Sequence, residues 1–188
     1  GQVGIGPGLG KSKETGFAVL EQVRSGDRPM VIDADALNIL AGHRQTLLTQ
    51  IPKGSILTPH PKELERLIGK CKNSYDRLMK ARELAHAAKV HIVLKGAYTA
   101  VISPDGTCTF NPTGNPGMAT GGSGDVLTGI ILALLAQKYK PEEAARISVY
   151  IHGLAGDIAA KKYSMTGMTS GDIINSLPEA WKQIADFS

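Results

Sequence analysis

Short apolar runs alternate along the chain with longer stretches in which apolar residues repeat at helical spacing. The runs are typical of buried strands, and the last two, joined by Pro104-Asp105-Gly106, are typical of a hairpin. The predicted strands are residues 29–33, 54–58, 91–95, 100–102 and 108–110. The predicted helices are about residues 12–23, 74–88, 123–138 and 141–163, then a last pair broken at Pro178. This alternation predicts an α/β fold, a mostly parallel sheet flanked by helices on both faces.

The most informative segment is residues 115–127, where four glycines within eight residues precede a helical pattern. Gly121, Gly122 and Gly124 let backbone N–H groups approach an anion without a Cβ in the way. The helix that follows presents its unpaired N–H groups and the positive end of its dipole to that anion. A phosphate there would repel Asp125, so a carboxylate at this position indicates a catalytic base. The alternative is a residue that only caps the helix.

A second glycine loop, residues 4–10, follows the end of a short strand and precedes the first predicted helix. It is not a P-loop, because the required first glycine is replaced by Ile5. It is not the dinucleotide fingerprint G-x-G-x-x-G either, because Leu9 and Lys11 stand where the third glycine would be. It is therefore a separate candidate for binding phosphate.

Polar residues follow the ends of the predicted strands. They lie in residues 33–38, 59–63, 95–96 and 122–125. Ligands of such sheets bind beyond the carboxyl ends of the strands, so we expect one crevice lined by these residues. Each also has a simpler interpretation, since Asp33 or Asp35 could cap the next helix. Likewise His60, between two prolines, could be a rigid turn residue, and Lys95 a solvated strand end.

Two further polar residues, His152 and Asp157, lie in the predicted helix 141–163. The neighbouring Gly153 and Gly156 indicate close packing of this helix. Both polar residues are interpreted as structural, with a role in the site as the alternative.

Composition narrows the function classes. With 188 residues, 42% of them hydrophobic, and no linker or repeat, the chain is expected to form a single domain, residues 1–188. The longest apolar stretch, residues 130–136, is too short to span a membrane. Cys71 and Cys108 follow no metal or redox spacing, so no metal site and a cytoplasmic location are expected. The 21 basic and 17 acidic residues are evenly spread and aromatic residues make up 5%, which argues against nucleic acid and suits a phosphorylated ligand.

Five motifs together resemble the ADP- or ATP-dependent NAD(P)H-hydrate dehydratases, a family with a ribokinase-like fold. They are residues 6–10, 33–38, 57–63, 95–96 and 115–127. The resemblance covers nearly the whole chain, whereas Gly-Gly-Ser-Gly-Asp alone would indicate only the wider ribokinase-like group. It implies the repair of NADH or NADPH that has been hydrated on the nicotinamide ring. A terminal phosphoryl group of ADP or ATP, with Mg²⁺, would activate the ring hydroxyl, and phosphate would then be eliminated.

The resemblance implies roles for the matching residues. Asp125 would take the proton from the substrate hydroxyl while the glycine loop holds the transferred phosphate. The residues implied to bind the nucleotide are Lys95, Gly96, Ala97, Tyr98, Thr99, Asn115, Met118, Gly121, Gly122, Ser123 and Gly124. Those implied to bind the hydrated dinucleotide are Gly8, His60, Lys62, Glu63 and Asp125. The family usually has glycine where this chain has Lys62.

The family has further strands and helices before the first glycine loop, so the chain is expected to be a fragment or one piece of a longer chain. A sheet without those strands exposes an unpaired edge, which predicts folding with the absent part or pairing into a homo-oligomer. The resemblance also implies an NAD(P)H-hydrate epimerase, either joined to this chain or working with it.

Two other functions stay open. A kinase of a small alcohol, such as a vitamin precursor, would use the same geometry at residues 122–125 and keep the phosphate on its product. A nucleotide-binding module without turnover would bind ADP and release no phosphate from hydrated NADH. The sequence does not distinguish ADP from ATP as the donor.

Overall fold

The computed structural model describes residues 1–10 and 12–185, so Lys11 and residues 186–188 of the predicted domain lie outside the described residues. The six strands of the described chain are β1 (Gly4–Ile5), β2 (Val31–Ile32), β3 (Ile56–Leu57), β4 (His91–Leu94), β5 (Ala100–Ile102) and β6 (Cys108–Phe110). Its eight α-helices are α1 (Lys13–Ser25), α2 (Ala34–Ala41), α3 (Arg44–Thr49), α4 (Pro61–Ile68), α5 (Ser74–Ala88), α6 (Ser123–Ala136), α7 (Pro141–Tyr163) and α8 (Ser170–Ala185).

The strands form one sheet in chain order, β1-β2-β3-β4-β5-β6. The first four are parallel, and β5 and β6 are added as an antiparallel hairpin. Because β6 again runs in the direction of β4, the segment that leaves it starts at the same edge of the sheet as the segments that leave β1 to β4. The predicted mostly parallel sheet is confirmed.

Alternate residues of each strand face opposite sides of the sheet, as the two-residue repeat of a strand requires. Ile32 and Leu57 belong to a core with α1 to α5. Val31 and Ile56 belong to a second core with α6, α7 and α8. Helices therefore cover both faces, as predicted.

The parallel strands are shorter than predicted, two residues in β2 and β3 instead of five. One further hydrogen bond extends each strand pair: the Asp33 N–H donates to the Ile5 carbonyl, and the Thr58 N–H donates to the Ile32 carbonyl. The chain then turns directly into helices α2 and α4, whose caps are Asp33 and His60.

One helix prediction is wrong. The chain after residue 163 does not form a pair broken at Pro178, because α8 runs from Ser170 to Ala185 with Pro178 inside it. Ile173 and Ala180, on either side of the proline, are both buried in the second core. Their burial offsets the one backbone hydrogen bond that proline removes. None of the helices described is long and apolar enough to span a membrane.

Candidate active site

A partly buried ion pair joins the ends of β2 and β4. Asp33 is 1% exposed, and its Oδ1 accepts a hydrogen bond from Lys95 Nζ at 2.9 Å. Its Oδ2 accepts from Thr128 Oγ1 at 3.0 Å, which ties the pair to the second turn of α6. The structure thus brings together two of the predicted strand ends and the helix that follows the glycine loop.

The first turn of α6 offers backbone N–H groups beside the Lys95 ammonium. Ser123 and Val126 donate to the carbonyls of Thr120 and Gly122. The N–H groups of Gly124 and Asp125 donate to no protein acceptor in the described part of the chain. A Cβ placed on Gly124 would lie 3.4 Å from Lys95 Nζ, so the cation and the free N–H groups border one space. We call this space the cradle.

Asp125 has an exposed side chain in the first turn of α6. The N-cap is Gly122, with φ 84°, and it makes no side-chain cap bond. Asp125 is the third residue of the helix and accepts no hydrogen bond in the described chain, so it does not cap α6. It also lines one end of a groove of about 880 Å³ between α6 and α8, whose wall includes Ile130, Leu134 and Trp181.

His152 of α7 contacts the first residue of α6. Its Nε2 lies 3.3 Å from Ser123 Oγ. Burial lowers the pKa of His152 to about 4, and the nearby Lys95 charge acts in the same direction. The ring is therefore neutral at neutral pH.

This histidine predicts a pH dependence of stability. The free energy of unfolding should fall as pH drops from 6.5 toward 4, because the unfolded chain then binds a proton that folded His152 does not. The loss over the whole window is at most about 3 kcal/mol. Chemical denaturation at several pH values should show a flatter pH profile for His152→Gln. His91, whose pKa is also lowered by burial, contributes to the slope of both proteins. Equal slopes would contradict this assignment.

Asp157 of α7 holds the loop that leads to the cradle. Its Oδ2 accepts from the Gly114 N–H, and its Oδ1 accepts from Asn115 Nδ2, both at 2.9 Å. This agrees with its structural interpretation. Asn115 in turn accepts the Gly117 N–H through Oδ1 at 3.0 Å.

The glycines of α7 make the predicted close contacts, and their partners lie in the segment before α6. A Cβ on Gly153 would meet Thr113, and one on Gly156 would meet Met118. The small residues therefore let the loop that carries Asn115 and Met118 lie directly on α7.

The first glycine loop lies over the end of β2. Gly6 has φ 145°, and a Cβ there would meet the carbonyl oxygen of Asp33. The N–H of Gly10 donates to Asp35 Oδ2 at 2.9 Å. Gly8 has φ 68° and faces open space. The loop is thus tied to the same strand end that holds Lys95.

His60 begins α4. Its Nδ1 accepts from the N–H groups of Lys62 and Glu63, at 3.1 and 3.3 Å. Glu63 is 7% exposed, and its Oε2 accepts a hydrogen bond from the His60 N–H at 2.9 Å. This is a capping box. Lys62 is exposed, as are Gly96, Ala97 and Tyr98 after β4.

Comparison with known proteins agrees with this geometry. The family model described as NAD(P)H-hydrate dehydratase matches residues 2–179. The chain belongs to this family. A bifunctional NAD(P)H-hydrate repair enzyme Nnr of Thermofilum pendens is 42% identical over 186 residues, covering 98% of this chain. The resemblance noted in the sequence is confirmed.

Solved structures of similar proteins have the same fold. A crystal structure of the ADP/ATP-dependent NAD(P)H-hydrate dehydratase of Bacillus subtilis, co-crystallised with ATP/Mg²⁺ and soaked with CoA, has a TM-score of 0.84. It is 35% identical and covers 97% of this chain. A ribokinase-like superfamily protein of Enterococcus faecalis has a TM-score of 0.82 at 31% identity, over 97% of this chain and 63% of its own. The predicted ribokinase-like fold is confirmed.

This chain spans only part of those family members. It covers 35% of the length of the Thermofilum pendens enzyme and 66% of the Bacillus subtilis chain.

Proposed function

We propose that this chain catalyses the ADP- or ATP-dependent dehydration of hydrated NADH or NADPH, as a hydro-lyase. A terminal phosphoryl group is transferred to the hydroxyl of the hydrated ring, and phosphate is then eliminated. One observation carries the proposal: the exposed Asp125 carboxylate belongs to the same helical turn as the free N–H groups, and the Lys95 ammonium lies beside Gly124 of that turn. Phosphoryl transfer to an alcohol requires a base, hydrogen-bond donors to the phosphoryl oxygens and a cation.

The cradle is the proposed site of the transferred phosphate. The N–H groups of Gly124 and Asp125 point out of a helix start and do not need to rearrange when charge develops on the phosphoryl oxygens. Lys95 supplies a positive charge beside Gly124. Gly121, Gly122 and Ser123 belong to the same turn, and His152 supports Ser123.

Asp125 is the proposed base. A carboxylate repels a phosphate in the ground state, but it can accept the proton of the substrate hydroxyl as that oxygen attacks. Its exposure at the mouth of the groove between α6 and α8 leaves room for a substrate beside it.

The remaining residues implied by the family are proposed to hold the two ligands. Residues 95–99 form a turn that begins at Lys95 of the cradle, and its exposed residues 96–98 suit the nucleotide. Asn115 and Met118 would act on the nucleotide from the loop that Asp157 holds. For the hydrated dinucleotide, we propose Gly8, His60, Lys62 and Glu63. The second nitrogen of the His60 ring is not used by the cap of α4 and lies 3.4 Å from Glu63 Oε1.

Mg²⁺ fits this site as an ion carried by the nucleotide. Among residues 1–10 and 12–185 no three His, Cys, Asp or Glu side chains are grouped to hold a metal. Mg²⁺ is commonly held by substrate phosphates, waters and one or two carboxylates. The carboxylates that border the cradle are Asp33 and Asp125, and Asp33 is already paired with Lys95. When bound, the ion would neutralise phosphate charge.

We also propose how the chain is organised and where it works. The sheet and its two helical layers would act as one catalytic domain in the cytoplasm, where the free Cys71 and Cys108 stay reduced. It would assemble as a homo-oligomer and act with an NAD(P)H-hydrate epimerase. The bifunctional name of the Thermofilum pendens relative supports a second activity beside the dehydratase.

Phosphate release tests the proposed function. The chain is incubated with hydrated NADH and either ADP or ATP with Mg²⁺, while phosphate and the absorbance of reduced nicotinamide are followed. Both should rise together. A stable phosphoester of another alcohol would instead identify a kinase, and nucleotide binding without either product would identify a binding module.

Lys95→Met is expected to weaken the binding of ADP or ATP by roughly 1 to 3 kcal/mol, the scale of a hydrogen bond to a charged group. Affinity for the hydrated dinucleotide should stay nearly unchanged. Methionine keeps the apolar stem and removes the ammonium group, together with its bond to Asp33. Calorimetric titration of each ligand measures both effects. Lys80→Met removes the same charge from an ion pair within α5 and should change neither. Equal losses for both ligands would contradict the assignment of Lys95 to the nucleotide.

A further inference from the structure

Asp33 is a buried carboxylate that takes no part in the chemical steps proposed above. Its two oxygens accept three hydrogen bonds, from the Ala34 N–H, Lys95 Nζ and Thr128 Oγ1. A buried carboxylate is costly unless it is paired and hydrogen-bonded. Two of its three partners lead directly to the cradle, one through the Lys95 ammonium and one through α6.

Lys95 gains a fixed position from this carboxylate. A free lysine side chain samples many rotamers, so its charge is poorly placed unless something holds it. Asp33 takes one of the three ammonium donors, at 2.9 Å. The other two remain for a ligand. Since a Cβ on Gly124 would lie 3.4 Å from Lys95 Nζ, the ammonium lies beside Gly124, whose N–H is free in the described part of the chain.

Thr128 fixes the same carboxylate relative to α6. It lies four residues after Gly124, and therefore about one turn along the same face of the helix. Its hydroxyl donates to Asp33 Oδ2 at 3.0 Å, while Lys95 uses Oδ1. One carboxylate thus sets the distance between the ammonium and the start of α6.

The backbone next to Asp33 is also held in an uncommon conformation. Ala34 has φ 47°, in the left-handed region that residues with a side chain rarely adopt. Its N–H donates to Asp33 Oδ1 at 2.9 Å. Such conformations persist where the surroundings over-determine them, and they are frequent at functional sites.

We infer that Asp33 is a positioning residue. It holds the Lys95 ammonium at the first turn of α6, where the ammonium meets a nucleotide phosphate, and Thr128 keeps Asp33 in place. Asp33 acts through Lys95 and touches no substrate. This inference rests on the proposed nucleotide-dependent function, and it is tested by binding instead of turnover.

A double-mutant cycle tests it. The full chain and the variants Asp33→Asn, Lys95→Met and Asp33→Asn/Lys95→Met are titrated with ADP by calorimetry. Asp33→Asn should weaken ADP binding about 10-fold, because the ammonium is present but no longer held. The double variant should bind ADP as Lys95→Met does, since Asp33 has nothing left to position. Glu65→Gln, which breaks the 2.9 Å ion pair with Arg77, is the matched control and should bind ADP like the parent.

A second variant covers the case in which Asp33→Asn does not fold. Thr128→Val keeps the buried ion pair and removes only the bond from α6. It should weaken ADP binding about 2- to 5-fold in the parent and not at all in the Lys95→Met background. Thermal melts of every variant show whether each is folded at the temperature of the titration.

The outcomes separate this inference from the proposed function. Additive losses in the cycle, or an Asp33→Asn variant that binds ADP like the parent, would overturn the positioning role even if the parent releases phosphate from hydrated NADH. A cycle with the expected coupling in a chain that releases no phosphate would support the role and overturn the dehydratase proposal. A parent without affinity for either ADP or ATP would overturn both.

Discussion

Asp125→Asn is expected to lower turnover by about 10² to 10⁴, the range typical of a positioned acid or base. The same change should leave nucleotide binding as tight as in the parent, or make it tighter. Both effects follow from charge, because the carboxylate repels a bound phosphate and is useful only when the substrate hydroxyl loses its proton. An amide of the same shape removes the repulsion and the base together.

The fold should not be affected by this change. Asp125 is exposed and accepts no hydrogen bond in the described chain, and the N-cap of α6 is Gly122. Asp76→Asn is a matched control, because Asp76 is also the third residue of its helix. Asp76 accepts the Lys72 N–H and pairs with Lys80, outside the candidate site. The control should keep parental turnover.

Single-turnover phosphate release, with both ligands saturating, measures the chemical step of Asp125→Asn. Calorimetry with ADP measures its binding, and a melt shows that it is folded. Near-parental release by this variant would end the claim that Asp125 is the base. An equal loss in Asp76→Asn would show instead that the assay reports helix stability.

The elements that sequence predicts best are those with enough residues to show a period. The bounds of α5 and α7 agree with the structure. The two hairpin strands, with three residues each, agree for another reason, because the turn signal Pro104-Asp105-Gly106 marks them. By contrast α2, α3 and α4 have eight, six and eight residues, too few for a clear helical pattern, and none was predicted as a helix. The proline rule failed in α8, where burial of the residues on either side of Pro178 outweighs one lost backbone bond.

The candidate site shows the same division. The glycine loops and the order of strand ends are local features, so the sequence predicts that Lys95 and residues 122–125 share one edge of the sheet. Two of the three partners of Asp33, Lys95 and Thr128, are 62 and 95 residues away, and no local pattern pairs them with it. Thr128 had no signal at all in the sequence. The contact of His152 with Ser123 likewise depends on how α7 packs under α6.

Gly6 links the fold to this site most directly. Its φ of 145° is one that only glycine adopts readily, and a Cβ there would meet the backbone carbonyl of Asp33. Backbone cannot move aside as the end of a long side chain can. Gly6→Ala should therefore destabilise the chain by about 3 to 5 kcal/mol, among the largest effects of a single substitution. The added methyl group would displace the backbone of Asp33, and the position of Lys95 would change with it.

Gly8→Ala is the matched control for Gly6→Ala. Gly8 also has a positive φ, 68°, but a Cβ there meets open space, so only the left-handed conformation is penalised, by about 1 kcal/mol. Urea denaturation measures both losses. Calorimetry of the variants that remain folded should show weaker ADP binding for Gly6→Ala, because the strand end that it displaces carries the anchor of Lys95. Equal stability losses for the two variants would mean that the first glycine loop does not pack against Asp33. Parental ADP affinity in Gly6→Ala would mean that this loop does not influence nucleotide binding.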